Sequence, residues 1–246
     1  MIKLKDILNE GVYDPGILKC IFMAGGPGSG KSKVTQEIFG LGTGLSRVNA
    51  AGLKTVNSDT AFEAQLKKNG IDSRDLARIE KEEPELWKKI TEDPKGVREL
   101  AKQTTQKIKS FYEAGRLGMI IDGTGDDVIK IQNQKKKAEA LGYDTFMVFV
   151  NTSLEVAQYR NSMRDRVLPD NLLIPSWKEC QNNLGKFQTM FSSANFRIVD
   201  NSKNGNNVSS DCRKHVDMFV HSGIKNPIGK KWVTTQLMLK NANIIK

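Results

Sequence analysis

The chain is poor in the residues that hold small secreted or metal-built domains together. Its three cysteines, Cys20, Cys180 and Cys212, lie far apart, and none sits in a CxxC pair. An odd count without a pairing pattern excludes a disulfide framework and a cysteine zinc site, and suits a reducing compartment. Histidines number only two. His215 and His221, even with Asp217 nearby, make a weak metal set and are expected at the surface. No apolar run approaches the roughly 20 residues that span a bilayer. Met1 to Asn9 is short and broken by Lys3, Lys5 and Asp6. It is therefore no signal peptide, and reads as a short amphipathic helix on Ile2, Leu4, Ile7 and Leu8. A cytoplasmic protein with no membrane partner is expected. Aromatics are scarce at 7%, which argues against a stacking platform for single-stranded nucleic acid. Acidic residues are missing altogether from 223–246, which carries Lys225, Lys230, Lys231, Lys240 and Lys246, half of the net charge of +10. A basic surface attracts anions such as nucleic acid or nucleotides; the alternative is a solvated face.

What is present is a soluble α/β composition. With 246 residues and 38% hydrophobic content, the chain is long enough to bury a core without cross-links. Leu18 to Ala24 is an apolar run with the look of a buried strand. Lys31 to Phe39 reads as a helix and Gly40 to Gly52 as a flexible loop. Leu53 to Asn57 is a second strand. Thr60 and Glu63 form a capping box that predicts a helix starting just after Asp59. Residues 60–115 are mostly helical, with a helix start at Asp93-Pro94 and an apolar face on Val97, Leu100, Ala101, Thr104, Ile108, Phe111 and Tyr112. Leu117 to Asp122, Tyr143 to Val150 and Phe196 to Val199 are further strands. Between and after them run helices over Asp126 to Leu141, Thr152 to Arg166 behind a second capping box, Ser176 to Phe191, and Val208 to Val220. Pro169 and Pro175 bracket a loop. Strands alternating with helices predict a parallel sheet covered on both faces. No clear period is visible after Gly223.

The strongest chemical signal is Gly25-Gly26-Pro27-Gly28-Ser29-Gly30-Lys31-Ser32, which matches G-x-x-x-x-G-K-[ST] between an apolar strand and a helix. Glycines let the backbone wrap phosphates closely, successive N–H groups make an anion-binding concavity, and the helix adds its positive end. In such a loop Lys31 reaches the β- and γ-phosphates of ATP or GTP, and the Ser32 hydroxyl ligates Mg²⁺. Asp122, ending Met119-Ile120-Ile121, is the candidate carboxylate for the metal's waters, with Asp59 the other candidate. Asp59 ends a strand at the edge where parallel sheets bind ligands. There it can take the proton of an attacking hydroxyl, or it is merely a helix cap. Arg160, Arg164 and Arg166 precede Pro169, with Arg160 and Arg164 spaced to share a helix face. They are candidates for neutralising a phosphoryl-transfer transition state, or form a solvated basic face paired with Asp165 and Asp170. Trp87 and Trp177 are expected to pack helices.

Together AGGPGSGKS, the NSD at Asn57 to Asp59, IIDGTG at Ile120 to Gly125, and RNSMRDRVLP at Arg160 to Pro169 resemble the zeta-toxin group of P-loop kinases, over roughly residues 18–200. That group is close to polynucleotide kinases, and the layout also resembles zeta-toxin-like proteins of tailed phages. The resemblance implies a P-loop three-layer sandwich on a five-stranded parallel sheet with a helical insertion and a lid at about 160–175. It also implies Asp59 as general base and lid arginines from Arg160 to Arg166. The expected organisation is a kinase domain over 1–222 and a basic extension over 223–246. The expected activity is transfer of the γ-phosphate of ATP or GTP, with Mg²⁺, to a small hydroxyl-bearing acceptor. Two alternatives stand beside it: a polynucleotide 5′-hydroxyl kinase, and a nucleotide-binding assembly component of a virion.

Overall fold

The computed structural model describes residues 12–40, 52–164, 167–202 and 210–242. The Met1 to Asn9 helix, nearly all of the Gly40 to Gly52 loop and Arg166 lie outside them. The strands are β1 (Lys19–Ala24), β2 (Lys54–Val56), β3 (Met119–Asp122), β4 (Asp144–Asn151) and β5 (Phe196–Asp200). They form one parallel sheet in the order β2-β3-β1-β4-β5. The first crossover leads from β1 to β2 on one side. The crossover after β3 passes to the other side of β1, so the sheet opens a crevice at the C-terminal end of β1.

Burial explains the apolar strands. All six residues of β1 are buried, as expected where helices cover both faces of a parallel sheet. On one face Cys20, Phe22 and Ala24 pack with Met119, Ile121, Met147 and Phe149. On the other, Ile21 and Met23 join Ile120, Val148 and Val150. The first face is closed by α6 (Val128–Ala140) and α8 (Asp170–Phe191), the second by α1 (Lys31–Phe39) and α9 (Ser210–His221). The block between β2 and β3 is a helical insertion of α2 (Ser58–Lys68), α3 (Leu76–Glu82), α4 (Pro84–Thr91) and α5 (Val97–Ala114). It has its own core of Phe62, Leu66, Leu76, Ile79, Ile90 and Ala101, with Trp87 against it.

Several local expectations give way to tertiary contacts. Asp93-Pro94 makes a turn, in which the Asp93 carboxylate accepts from Lys95 N (2.7 Å), and the helix begins at Val97. On α5 the apolar face is displaced: Phe111 is 73% exposed, while Lys109 and Glu113 are buried. Their pairing at 3.7 Å, with Lys137 at 2.7 Å from Glu113, lets charged residues take core positions. The helix after β4, α7 (Leu154–Ser162), ends before Arg164. The Asn161 side chain donates to Leu168 O (2.7 Å) and accepts from Leu168 N (3.0 Å), closing the following segment at its base. The Pro-bracketed stretch is not a loop. Pro169 caps α8, which runs on through Pro175. The proline forgoes one backbone bond, and buried Leu173, Cys180, Asn183 and Phe187 hold the helix to the sheet.

Beyond Gly223, α10 (Pro227–Asn241) is opened by the Asn226 cap. Trp232 and Val233 lean on the first core face, and Asp144 accepts from the N–H groups of Lys225 and Asn226. Glycines permit this docking, since a Cβ on Gly229 would lie 2.2 Å from Gly142 O. Among the described residues no helix is long and apolar enough to cross a membrane.

Candidate active site

The P-loop lies where the crevice opens. Gly28 and Gly30 have φ of 75° and 79°, in the left-handed region. Gly30 starts α1 with no side-chain cap, so the first-turn N–H groups of the helix are left for an anion. The glycines serve a further purpose that their spacing does not reveal. Protein occupies the space where side chains would be, on the outer side of the loop. A Cβ on Gly25 would meet Val150 O at 2.5 Å, one on Gly26 would meet Trp177 at 3.1 Å, and one on Gly28 would meet Ala157 O at 2.3 Å. Trp177 thus packs on the loop itself rather than between helices, its indole N–H donating to Thr152 O (3.1 Å). Lys31 Nζ donates to Gly25 O (2.8 Å), arching back over the loop.

Asp122, at the end of β3, stands beside it. Burial pushes its carboxyl above the usual range; the neighbouring Lys31 opposes this, and Asp59 adds to it. Three residues from separate motifs therefore share one electrostatic environment. Asn57 joins two of them: its Nδ2 donates to Asp122 Oδ2 (2.9 Å), and its Oδ1 accepts from Asp59 N (2.7 Å). Asn57, not Thr60 or Asp59, caps α2, which starts at Ser58. The cap goes to the side chain that can also anchor on β3. At α7 Ser153 rather than Thr152 is the cap, and the Thr152 hydroxyl donates instead to Asn201 O (3.5 Å). Asp59 is left exposed in the first turn with its carboxylate unused by the helix end. The shielded Oδ1 of Asp122 has no hydrogen-bond partner, and Ser32 is exposed at the start of α1. An orphaned carboxylate oxygen within the field of Lys31, with a serine hydroxyl on the first turn after the loop, is a donor set that fits a hydrated Mg²⁺. Among the described residues no cluster of three or more His, Cys, Asp or Glu could hold a metal by itself. His215 and His221 each bond a carbonyl of their own helix.

The next segment, Gly123 to Asp126, is fastened to α8. Cys180 Sγ donates to Thr124 O (2.8 Å), its thiol pushed up to about 12 by burial and so kept protonated. Ser176 donates to Asp126 Oδ2 (2.7 Å), and Asn183 to Asp126 O (2.9 Å). Thr124 O in turn accepts from Gly25 N (2.9 Å). The C-terminal end of β3, the P-loop and α8 are thereby one braced unit.

The arginines separate. Arg160, on α7, reaches the P-loop, with Nη1 3.4 Å from Ser29 O. Arg164 lies in the bend after α7 and is exposed, so the shared helix face does not exist. Among the described residues Asp170 accepts from Gln158 Nε2 (3.0 Å) and is paired with no arginine. The residue that the motifs miss is Asn201, just past β5, whose Nδ2 donates to Ser29 O at 2.7 Å. Its only signal in sequence is its place at a strand C-terminus.

No protein-family model matches the chain, and no curated protein matches it in sequence. Among solved structures it is similar to a protein of the PezAT chromosomal toxin–antitoxin system of Streptococcus pneumoniae. The TM-score is 0.50 and the identity 12%, over 93% of this chain and 87% of that one. A gluconokinase from Sinorhizobium meliloti (TM-score 0.46, 14% identity, 83% and 94% coverage) and shikimate kinase from Aquifex aeolicus (0.44, 18%, 83% and 99%) are also similar. The likeness is one of fold, an α/β P-loop sandwich on a five-stranded parallel sheet.

Proposed function

We propose that the protein is a kinase that transfers the γ-phosphoryl group of ATP or GTP to a hydroxyl acceptor. The observation that carries the reading is the meeting of Lys31, Asp122 and Asp59 at the mouth of the P-loop, with Arg160 at its edge. The zeta-toxin-like motifs and the likeness to the PezAT-system protein support the same reading. The loop N–H groups and Lys31 hold the phosphates. Mg²⁺ would be held by Ser32 and, through its waters, by Asp122, and supplies charge neutralisation at the phosphate oxygens. Asp59 accepts the acceptor's proton as its oxygen attacks the γ-phosphorus, and the bond to the β–γ bridging oxygen breaks to release the nucleoside diphosphate. Arg160 is the arginine best placed to neutralise charge on the transferred group; Arg164 and Arg166 join it on closure of a lid over 160–175. Met163, Val167 and Leu172 expose apolar surface there, which closure would cover. Residues 1–222 form the kinase domain, with 223–246 a basic extension.

The test is purified protein with γ-labelled ATP or GTP and Mg²⁺ against UDP-sugars, nucleosides, nucleotides and 5′-hydroxyl oligonucleotides. Label transfer to one acceptor class is expected. Tight nucleotide binding without transfer to any acceptor would overturn the kinase reading in favour of a protein that only holds nucleotide.

Asp122 gives a prediction with two signs. Its folded pKa is raised by burial, so the ionised carboxylate costs stability once the pH rises past the ordinary carboxylate value of about 4. At pH 7, Asp122→Asn removes that cost and keeps an acceptor for Asn57. The variant is expected to melt at the wild-type temperature or above, while binding Mg²⁺-nucleotide about 10- to 100-fold more weakly. Calorimetry reads both; a lower melting temperature with unchanged affinity would remove Asp122 from the metal's surroundings.

A further inference from the structure

We infer that Asn201 is the positioning residue that sets the phosphate-facing peptide of the P-loop before nucleotide arrives. The inference rests on the nucleotide-binding reading and deepens it. The peptide in question joins Ser29 to Gly30. Its carbonyl oxygen accepts from Asn201 Nδ2 at 2.7 Å and from Arg160 Nη1 at 3.4 Å. There is no cis peptide among the described residues, so the Gly30 N–H leaves the opposite edge of the same plane. A carbonyl held towards β5 and α7 turns that N–H away from them, to the side where an anion-binding loop needs its donors. Turned over, the same peptide would present an oxygen to a phosphate and repel it.

The loop does not choose between the two orientations by itself. The peptide is followed by Gly30, and the residue before it follows Gly28. Both glycines carry positive φ, with no Cβ to resist rotation. An external donor has to select the orientation, and Asn201 is built for that. It is 7% exposed. Its own N–H donates to Asn151 O (2.8 Å), and its carbonyl accepts from Thr152 Oγ1 (3.5 Å). Both anchors lie at the end of β4, which is paired to β1. The side chain also fills the space beside the loop, since a Cβ on Gly30 would lie 2.4 Å from its Nδ2.

Two donors on one carbonyl divide the work. Arg160 is half-exposed, longer in its contact, and borne on the helix that leads into the lid region. It can leave Ser29 for a transferred phosphoryl group. Asn201 stays, so the peptide keeps its orientation while the arginine moves.

The test compares wild type with N201D and N201A for binding of Mg²⁺-ATP and of inorganic tripolyphosphate by titration calorimetry, with thermal melts alongside. N201D keeps the shape but sets a carboxylate oxygen against the Ser29 carbonyl; N201A removes the donor. Affinity for ATP and for tripolyphosphate is expected to fall by the same factor, about 10- to 100-fold in N201D and less in N201A. The acceptor KM at saturating nucleotide, once an acceptor is known, should stay at the wild-type value, which a general loss of structure would not permit. Should N201D fail to fold, N201A decides by the same comparison. Binding within about twofold of wild type in the folded variants, or a loss for ATP that tripolyphosphate does not share, overturns the inference and leaves the kinase reading intact. A wild-type protein that binds neither ligand overturns both.

Discussion

Asp59→Asn is expected to lower phosphoryl transfer by about 10²- to 10⁴-fold, the usual range for removal of a general base, while nucleotide affinity stays close to wild type. The structure makes this substitution clean. The cap of α2 comes from Asn57, so Asp59 contributes to the helix only through its charge near the N-terminus, about 0.3–1 kcal/mol. An amide of the same size fits its exposed position in the first turn. The change also has an electrostatic echo. Asp59 helps to hold the Asp122 carboxyl above its usual range; removing it eases the ionised form of Asp122, which offsets the loss of Asp59's own attraction for the cation and leaves metal affinity near wild type. A loss of kcat with nearly unchanged Mg²⁺-nucleotide binding is therefore the signature of a base. Unchanged kcat would mean that Asp59 serves only the helix terminus, and parallel losses in kcat and nucleotide affinity would place it among the phosphate-binding groups.

Gly28→Ala is the second large effect, and it acts through α7. The position has φ of 75°, which costs an alanine about 1–2 kcal/mol. Its Cβ would also lie 2.3 Å from Ala157 O and 2.8 Å from Ala157 Cα. Backbone cannot yield as a side chain does, so either the loop or α7 must shift. Arg160 sits three residues beyond Ala157 on that helix, and a displacement of about 1 Å in a catalytic group can cost on the order of 10²-fold in rate. The variant is expected to melt several degrees lower and to lose about 10²-fold or more in kcat/KM. Gly185→Ala is the control. It lies within α8 with nothing inside 4 Å of an added Cβ, and should stabilise by about 0.5–1 kcal/mol. A Gly28→Ala protein as stable and active as wild type would mean that the contact between P-loop and α7 does not constrain the site.

Much of the fold was legible along the chain because it is written in local terms. A run such as Cys20 to Ala24 between glycines admits few readings, and the P-loop announces itself through the rare coincidence of its glycines, Lys31 and Ser32. Local signals are ambiguous where several options compete. Asn57, Asp59 and Thr60 can all cap α2, and the choice fell to the one whose amide reaches Asp122, 65 residues away. The buried face of α5 is not legible locally, because Lys109 and Glu113 look like surface residues until Lys137 is beside them. For α10, the interface consists of a few glycines and half-buried side chains without an apolar stripe.

By itself the sequence determined the parallel α/β architecture, the phosphate loop and the carboxylates Asp59 and Asp122 as candidates, since periodicity, glycine dihedral freedom and motif spacing are properties of neighbours in the chain. Only the tertiary structure decided the strand order, the separation of Arg160 from Arg164, and the outer bracing of the loop by Trp177, Ala157 and Asn201. The reason is that a hydrogen bond such as that between Ser29 and Asn201 joins groups 172 residues apart. Such a contact leaves no mark in the spacing of either segment, and exists only once the sheet has brought the ends of β1, β4 and β5 together.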